Sequence, residues 1–363
     1  MKIGIIGCGV ISHRYIQHIQ QFYSDRLEIV FAADVDTAVA EKVATTYGIP
    51  GYGSVQALLD DPAVELAVNL TPPGVHVAID RQCIDAGKHV YSEKPFAQTL
   101  EDVLEITAYA RAHGVEINAA PDTYLAAPIE NCRKLLCDGW IGRPVFAVAN
   151  LVSHGMEAWH PAPDAFYKKG VGPVFDVGGY YLTALVTLLG PIESIFSYAA
   201  TGFAKREIYS EPRKGEMIDV ETPTTYLTVL RMKSGVNVNL NLSFDAWKSN
   251  LPLLEIYGTD GTMCVPDPNR AGGQARIYRK EQTLNTLVKG TDIPSDADVF
   301  YPMPNRDREY NGRLRGAGVA AMAEAIEHGQ PVSNALAVHV TEATCGIIRS
   351  AETRSEYIMT TTV

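Results

Sequence analysis

The chain opens with an apolar strand, KIGIIG, and passes at once into Gly7-Cys8-Gly9-Val10-Ile11-Ser12. This start constrains the fold more than any other stretch. A Gly-x-Gly between a strand and a helix permits a tight turn and brings backbone N–H groups close to a pyrophosphate, which then sits at the positive end of the helix. Gly7, Gly9, Val10 and Ile11 are the expected phosphate contacts. Ser12 stands where the fingerprint usually has a third glycine and is small enough for close helix–strand packing. The next strand, LEIVFAAD, ends in Asp34, whose carboxylate can accept from a ribose 2′-hydroxyl and would repel a 2′-phosphate. NAD is therefore favoured, with NADP as the alternative. Asp36 reads more simply as a helix N-cap.

Up to Pro121, short apolar runs (VELAVNL, HVYSE and VEINAA among them) alternate with helical patterns, two of which are bounded by Gly48 and Thr99. Six strands joined in this way predict a doubly wound parallel sheet. Beyond it, turn signals replace helices. In the run after Lys233-Ser234-Gly235, Val236, Val238, Leu240, Leu242 and Phe244 alternate with polar residues, as in a strand with one buried face. LLEIYGTDGTMCV reads as a hairpin turning at Asp260-Gly261. Segment 265–312 reads as long loops, and helical patterns near 316–328 and 337–351 close the chain. A length of 363 residues exceeds what one core organises. Two domains follow: residues 1–121, a dinucleotide-binding domain, and residues 122–363, an α+β domain with a large, open, mostly antiparallel sheet.

With 31 basic and 42 acidic residues, net −11, and no basic stripe, nucleic acid and anionic membrane are poor partners. No apolar run is long enough to span a bilayer. The six cysteines are scattered without CxxC spacing, so neither a disulfide framework nor a metal site is expected, and a reducing, cytoplasmic setting fits.

In a doubly wound sheet, ligands bind beyond the carboxyl ends of the strands. The fourth strand runs into NLTPPGVH, where Asn69 or Thr71 could hydrogen-bond the cofactor. Pro72 and Pro73 keep that loop extended; a rigid turn without cofactor contact is the other reading. His76 is either a helix-start residue or a cofactor contact. The fifth strand runs into Glu93-Lys94-Pro95, which lands where a nicotinamide would lie. The Lys94 ammonium there can bind a substrate oxygen and stabilise the alkoxide character that develops during hydride transfer.

Taken together and in this order, GIIGCGVIS, NLTPPGVH, EKP and GVGPVFDVGGYY resemble the Gfo/Idh/MocA oxidoreductases, the family of glucose–fructose oxidoreductase and inositol dehydrogenase. The resemblance extends to RGAGVAAMAEAIEHGQP and HVTEATCGIIRS near the end. It implies a Rossmann domain, a nicotinamide cofactor, a last helix returning to the first domain, and a homo-oligomer (dimer or tetramer) formed through the open sheet. By position, Lys94 matches the family's catalytic lysine, with Glu93 and Pro95 as its neighbours. Asp176 matches the acid of a motif that usually reads D-x-G-x-H-x-x-D. Tyr180 stands at the histidine position and Thr183 at the final acid. Glucose–fructose oxidoreductase and dihydrodiol dehydrogenase are similar in using tyrosine there.

On a helix, Asp176, Tyr180 and Thr183 fall at i, i+4 and i+7 and share a face, while Tyr181 points about 100° away, toward packing. A phenol ordinarily titrates near 10, and a nearby Lys94 ammonium would lower that value. Tyr180 is thus the candidate proton acceptor or donor. Asp176 would orient substrate hydroxyls or pair with Lys94. In SHGMEAWHPAPDAFY, Trp159 offers a face for stacking on a sugar ring, and His154 and His160 can hydrogen-bond hydroxyls. Asp122, just after the sixth strand, is a further candidate substrate contact. The expected activity is hydride transfer between nicotinamide and a secondary hydroxyl or ketone of a sugar or cyclic polyol. Two alternatives are an enzyme that retains NAD for glycoside cleavage, epimerisation or transhydrogenation, and a non-catalytic NAD-sensing protein.

Overall fold

Strands buried on both faces must be apolar along their whole length, and the first strand, β1 (Lys2–Ile6), is buried after its first residue. The computed structural model describes residues 1–270, 272–282, 300–305 and 315–363. These divide into two units, Met1–Leu125 with Leu314–Glu342 and Ala126–Arg313 with Ala343–Val363.

In the first unit, β1 is followed by α1 (Val10–Phe22), β2 (Glu28–Ala33), α2 (Thr37–Tyr47), β3 (Gly51–Gly53), α3 (Val55–Asp60), β4 (Leu66–Asn69), α4 (His76–Asp85), β5 (His89–Ser92), α5 (Leu100–Ala112) and β6 (Ile117–Ala119). The strands form one sheet in the order β3-β2-β1-β4-β5-β6, every neighbour parallel. That is the doubly wound order, with its crevice between β1 and β4. At three residues, β3 is too short to show as an apolar run. Alternate residues feed two cores. Ile3, Ile5, Leu66 and Val68 join Tyr15, Ile16 and Ile19 of α1 and Val43 of α2, together with Val319, Met322 and Ala323 of the helix Ala317–Glu327. Ile6, Ala67 and Val90 join Leu58, Cys83, Ile84, Val103 and Ile106 on the other face. Each fully buried Ile or Leu contributes roughly 1.5–3 kcal/mol. The helix ends follow their side chains. Asp36 accepts from the Ala38 N–H, Gly48 ends α2 in the left-handed conformation, and Thr99 accepts from the Asp102 N–H.

The second unit contains α6 (Ala127–Cys137), β7 (Pro144–Val152), a π-helical turn (Val174–Gly178), α7 (Gly179–Leu189), β8 (Ile192–Ala200), a two-stranded ribbon of β9 (Lys205–Glu207) and β10 (Met217–Asp219), β11 (Thr225–Met232), β12 (Asn237–Ser243), β13 (Leu254–Gly258), β14 (Gly261–Cys264), β15 (Ala275–Arg279), β16 (Tyr301–Met303) and β17 (Tyr357–Ile358). Among the described residues, nine strands form a sheet in the order β16-β15-β14-β13-β7-β12-β11-β8-β17. All pairings are antiparallel except β7 with β12. The expected β11–β12 and β13–β14 hairpins are present. In 265–312, by contrast, β15 and β16 replace part of the expected loop; ARIYR pairs with β14 and so belongs to the sheet. Residues 271, 283–299 and 306–312 of that expectation lie outside the described residues.

One sheet face is buried: Tyr226, Thr228, Leu230 and Met232 alternate with exposed residues along β11. Gly178 lies on that side, where an added Cβ would come within 3.0 Å of Leu242 in β12. The other face exposes Phe146, Tyr198, Leu227 and Val229. Leu227 pairs directly with Tyr198, and the Phe146 ring stacks on Tyr257.

Candidate active site

Three loops leave the carboxyl ends of neighbouring strands in the first unit: Gly7–Gly9 after β1, Leu70–Val75 after β4, and Glu93–Phe96 after β5. Gly7 has φ 91°, and an added Cβ would come within 2.8–2.9 Å of the Leu70 and Thr71 backbone, so a side chain here is excluded twice. Gly9 caps α1 without a side-chain hydrogen bond, and a Cβ on it would meet nothing within 4 Å. Open space beside uncapped first-turn amides, with no acid in that turn, suits a pyrophosphate. Val10, 82% exposed, and the partly exposed Ile11 begin the helix there, while the buried Ser12 hydroxyl donates to the Gly9 carbonyl.

Asp34 is held from both sides. Its Oδ2 accepts from the Cys8 N–H at 2.8 Å and its Oδ1 from the Asp36 N–H at 3.0 Å. The Cys8 thiol donates to the Ala33 carbonyl, and burial, followed by the Asp34 charge, pushes it up to about 12. It is a packing group rather than a thiolate. Glu93 ties the lysine turn to the phosphate helix: Oε1 accepts from the Tyr15 hydroxyl of α1 at 3.0 Å and Oε2 from the Lys94 N–H at 2.6 Å. Lys94 and Pro95 follow β5 directly.

Two expectations change in the loop after β4. Asn69 is fully buried and employs its whole amide internally, donating to the His76 carbonyl (3.1 Å) and Asp80 Oδ1 (2.7 Å) and accepting from the Thr71 N–H (3.2 Å) and hydroxyl (2.6 Å). It shapes the loop and has no donor left for a cofactor. His76 is 1% exposed and sets one ring nitrogen on the Thr71 carbonyl (2.6 Å) and the other on the Pro95 carbonyl (2.8 Å). It therefore joins the two loops instead of reaching out of them. Thr71, Pro72 and Pro73 remain at the loop surface.

Asp122 is a further correction. At 1% exposure it accepts from the Gly316 and Gly318 N–H groups at the start of the helix Ala317–Glu327, with Arg315 3.8 Å away. Burial, the largest influence, raises its carboxyl above the usual range. It caps a helix and is closed to substrate.

In the second unit, Asp176 lies in the π turn and Tyr180 in the first turn of α7. The turn's wider i→i+5 bonding resets the angle between them from the plain α-helical value expected from the spacing. Tyr180 is 5% exposed and Asp176 partly exposed. Tyr181 is fully buried and donates to Asp267 at 3.4 Å; burial, then Asp267, pushes its phenol well up. The packing role read for it stands.

The segment after β7 is pinned by Arg206, a residue with no signal in the sequence beyond its type. Its guanidinium is buried and donates to Glu157 Oε1 (2.5 Å), Asp245 Oδ1 (2.9 Å) and the carbonyls of His154 and Phe244. Tyr167 donates to the other Glu157 oxygen. His154 stacks face to face on Trp247, ring centroids 3.4 Å apart, with Phe203 edge-on. Burial and then Arg206 push its pKa below the usual imidazole value. Trp159 is 64% exposed and lies edge-on to His160, whose Nδ1 accepts from the Ala162 N–H. The expected sugar-facing groups thus split between an exposed Trp159 and a His154–Trp247 stack.

Residues 1–120 match the family model "Oxidoreductase family, NAD-binding Rossmann fold", and residues 129–264 match the "GFO/IDH/MocA C-terminal domain". Trans-1,2-dihydrobenzene-1,2-diol dehydrogenase of Bos taurus is 27% identical over 269 residues, 74% of this chain and 75% of that one. The 1,5-anhydro-D-fructose reductase of Ensifer adhaerens is 27% identical over 340 residues, 90% and 89% of the two chains. Levoglucosan dehydrogenase in complex with NADH and levoglucosan superposes with a TM-score of 0.76 at 19% identity, covering 99% of both chains, a likeness of fold.

Proposed function

Since the chain belongs to the Gfo/Idh/MocA oxidoreductase family and carries its NAD-binding Rossmann domain, we propose that it interconverts a secondary hydroxyl and a ketone on a sugar or cyclic polyol. The observation that carries this reading is the row of strand ends, where the Gly7–Gly9 turn, the Thr71–Pro73 loop and Lys94 follow β1, β4 and β5. The sugar and diol chemistry in the names of its relatives supports the substrate class.

NAD, when bound, supplies the hydride-accepting ring. The chain's residues do the rest. The α1 N-terminus receives the pyrophosphate, and Asp34 accepts from a ribose hydroxyl on the lone pairs its two backbone bonds leave over. Lys94 binds the reacting oxygen as negative charge develops on it. Tyr180 takes the hydroxyl proton, and Asp176 orients a neighbouring hydroxyl. Trp159 and His160 border the sugar.

Absorbance at 340 nm with NAD and a panel of sugars and cyclic polyols tests the reading. Lys94→Ala should lower kcat about 10²–10³-fold. Tyr180→Phe should cost about 10²–10⁴-fold and Tyr181→Phe almost nothing. Full activity in both Lys94→Ala and Tyr180→Phe would overturn it.

The apolar outer face of the large sheet supports a homo-oligomer, and six unbridged cysteines support a cytoplasmic setting. No helix among the described residues is long and apolar enough to cross a membrane.

A further inference from the structure

Asp80 lies on α4, one turn beyond His76, and its side chain is fully buried beneath the strand-end loops. Oδ1 accepts from Asn69 at 2.7 Å. Oδ2 is buried without a hydrogen-bond partner, as is the Ser92 hydroxyl of β5, which favours the anion. Cys83, on the next turn of α4, feels its charge.

We propose that Asp80 is a positioning residue: by fixing the amide of Asn69 it holds the Thr71–Val75 loop and the Lys94–Pro95 turn as one body. The inference rests on the reading above, in which these two segments meet NAD and substrate.

The argument is one of donors and acceptors. The Asn69 amide can be seated in two ways that exchange its oxygen and nitrogen. On one side stand the His76 carbonyl and Asp80; on the other stand the Thr71 N–H and hydroxyl. The His76 carbonyl cannot donate, nor can the ionised Asp80, so both accept from the amide nitrogen. The oxygen is then directed to Thr71, whose N–H can only donate. Thr71 is thereby set, and the His76 ring is lodged between its carbonyl and that of Pro95, a neutral ring donating to one of them and only an imidazolium to both. Asp80, Asn69, Thr71, His76 and Pro95 form a continuous line of contacts from the helix, through the end of β4, to the turn that carries Lys94. An apolar residue in place of Asp80 would fill the space but leave an amide N–H buried without its acceptor, loosening the Asn69 amide from the helix and the loop with it.

The test uses the full chain, with NADH as the probe. NADH affinity is read from its fluorescence in the wild type, Asp80→Leu, Asp80→Ala and Asp80→Asn, alongside amide hydrogen exchange at Thr71 and Lys94. Asp80→Leu and Asp80→Ala should each weaken NADH binding at least tenfold and speed exchange at Thr71 and Lys94 relative to exchange in β1. Asp80→Asn, which still offers an oxygen to Asn69, should recover affinity to within about threefold of wild type. That rescue separates positioning from a general loss of packing. Asp80→Leu or Asp80→Ala binding NADH within twofold of wild type, with wild-type exchange at Thr71, would overturn the proposal. A wild type that binds no NADH would instead count against the cofactor reading, and the exchange comparison would still judge the brace.

Discussion

Asp80→Asn should make the first unit more stable at pH 8.5 than the wild type, and equally stable at pH 4. Burial pushes the Asp80 carboxyl from 3.8 up to about 7, against the weaker opposing influences of the Asn69 hydrogen bond and the Ser92 hydroxyl. Between those values the folded chain holds a proton that the unfolded chain has released. Stability must then fall as pH rises through this window. The contribution is intact below pH 4 and fully lost above pH 7. A tenfold change in an ionisation constant corresponds to about 1.4 kcal/mol, so the complete loss is about 4 kcal/mol, an upper bound. An amide does not titrate, and its oxygen can still accept from Asn69. The difference between variant and wild type should therefore grow from zero near pH 4 to a plateau above pH 7. Tryptophan fluorescence is the wrong probe, because Trp140, Trp159 and Trp247 all lie in the second unit. Native-state hydrogen exchange of the β1 and β4 amides reads the right one. A difference independent of pH, or a wild type more stable at pH 8.5, would refute the argument.

Other outcomes follow from the same geometry. Asp34→Ala should raise the Kd for NADH about tenfold and narrow its advantage over NADPH, measured by titration of both. An unchanged NADH-to-NADPH ratio would remove Asp34 from cofactor choice. Arg206→Ala leaves Glu157, fully buried, without its main cation, and should destabilise the second unit by about 3–5 kcal/mol in urea denaturation followed by tryptophan fluorescence. A loss below 1 kcal/mol would show that the cluster is not holding the segment after β7. Leu227→Glu, on the exposed sheet face, should shift the mass measured by light scattering toward the protomer without changing the circular dichroism. An unaltered mass for an oligomeric wild type would put the subunit contact elsewhere.

The first unit was largely legible because a parallel sheet buried on both faces writes itself as apolar runs, and its turns are written in glycine, proline and capping residues. Only β3 escaped, since GYG has neither length nor hydrophobicity. The site was legible as to type and place in the chain, but not as to which polar groups look inward. Asn69, His76 and Asp122 have the chemistry of ligand contacts, yet the fold spends all three on its own internal contacts. Asp80 gave one overlooked signal, its spacing of four from His76 on a helix. Arg206 gave none, for its partners Glu157 and Asp245 lie 49 and 39 residues away. In the second unit, β15 and β16 were hidden because their pairing, not their composition, makes them strands. The π turn was hidden because one added residue per turn leaves no mark on the amino-acid pattern.

On the proposed reading Asp34 carries two duties on one carboxylate, for it holds the Cys8 and Asp36 amides and would also accept from the ribose. A lineage drifting from one dinucleotide to the other must give up that acid, and with it the anchor of its own phosphate loop. Intermediates along such a path would suffer in cofactor affinity before gaining any new preference. If Asp34 recognises the ribose as proposed, cofactor identity is guarded by architecture as well as by recognition, and a successful switch would need a second change that first relieves Asp34 of its hold on Cys8.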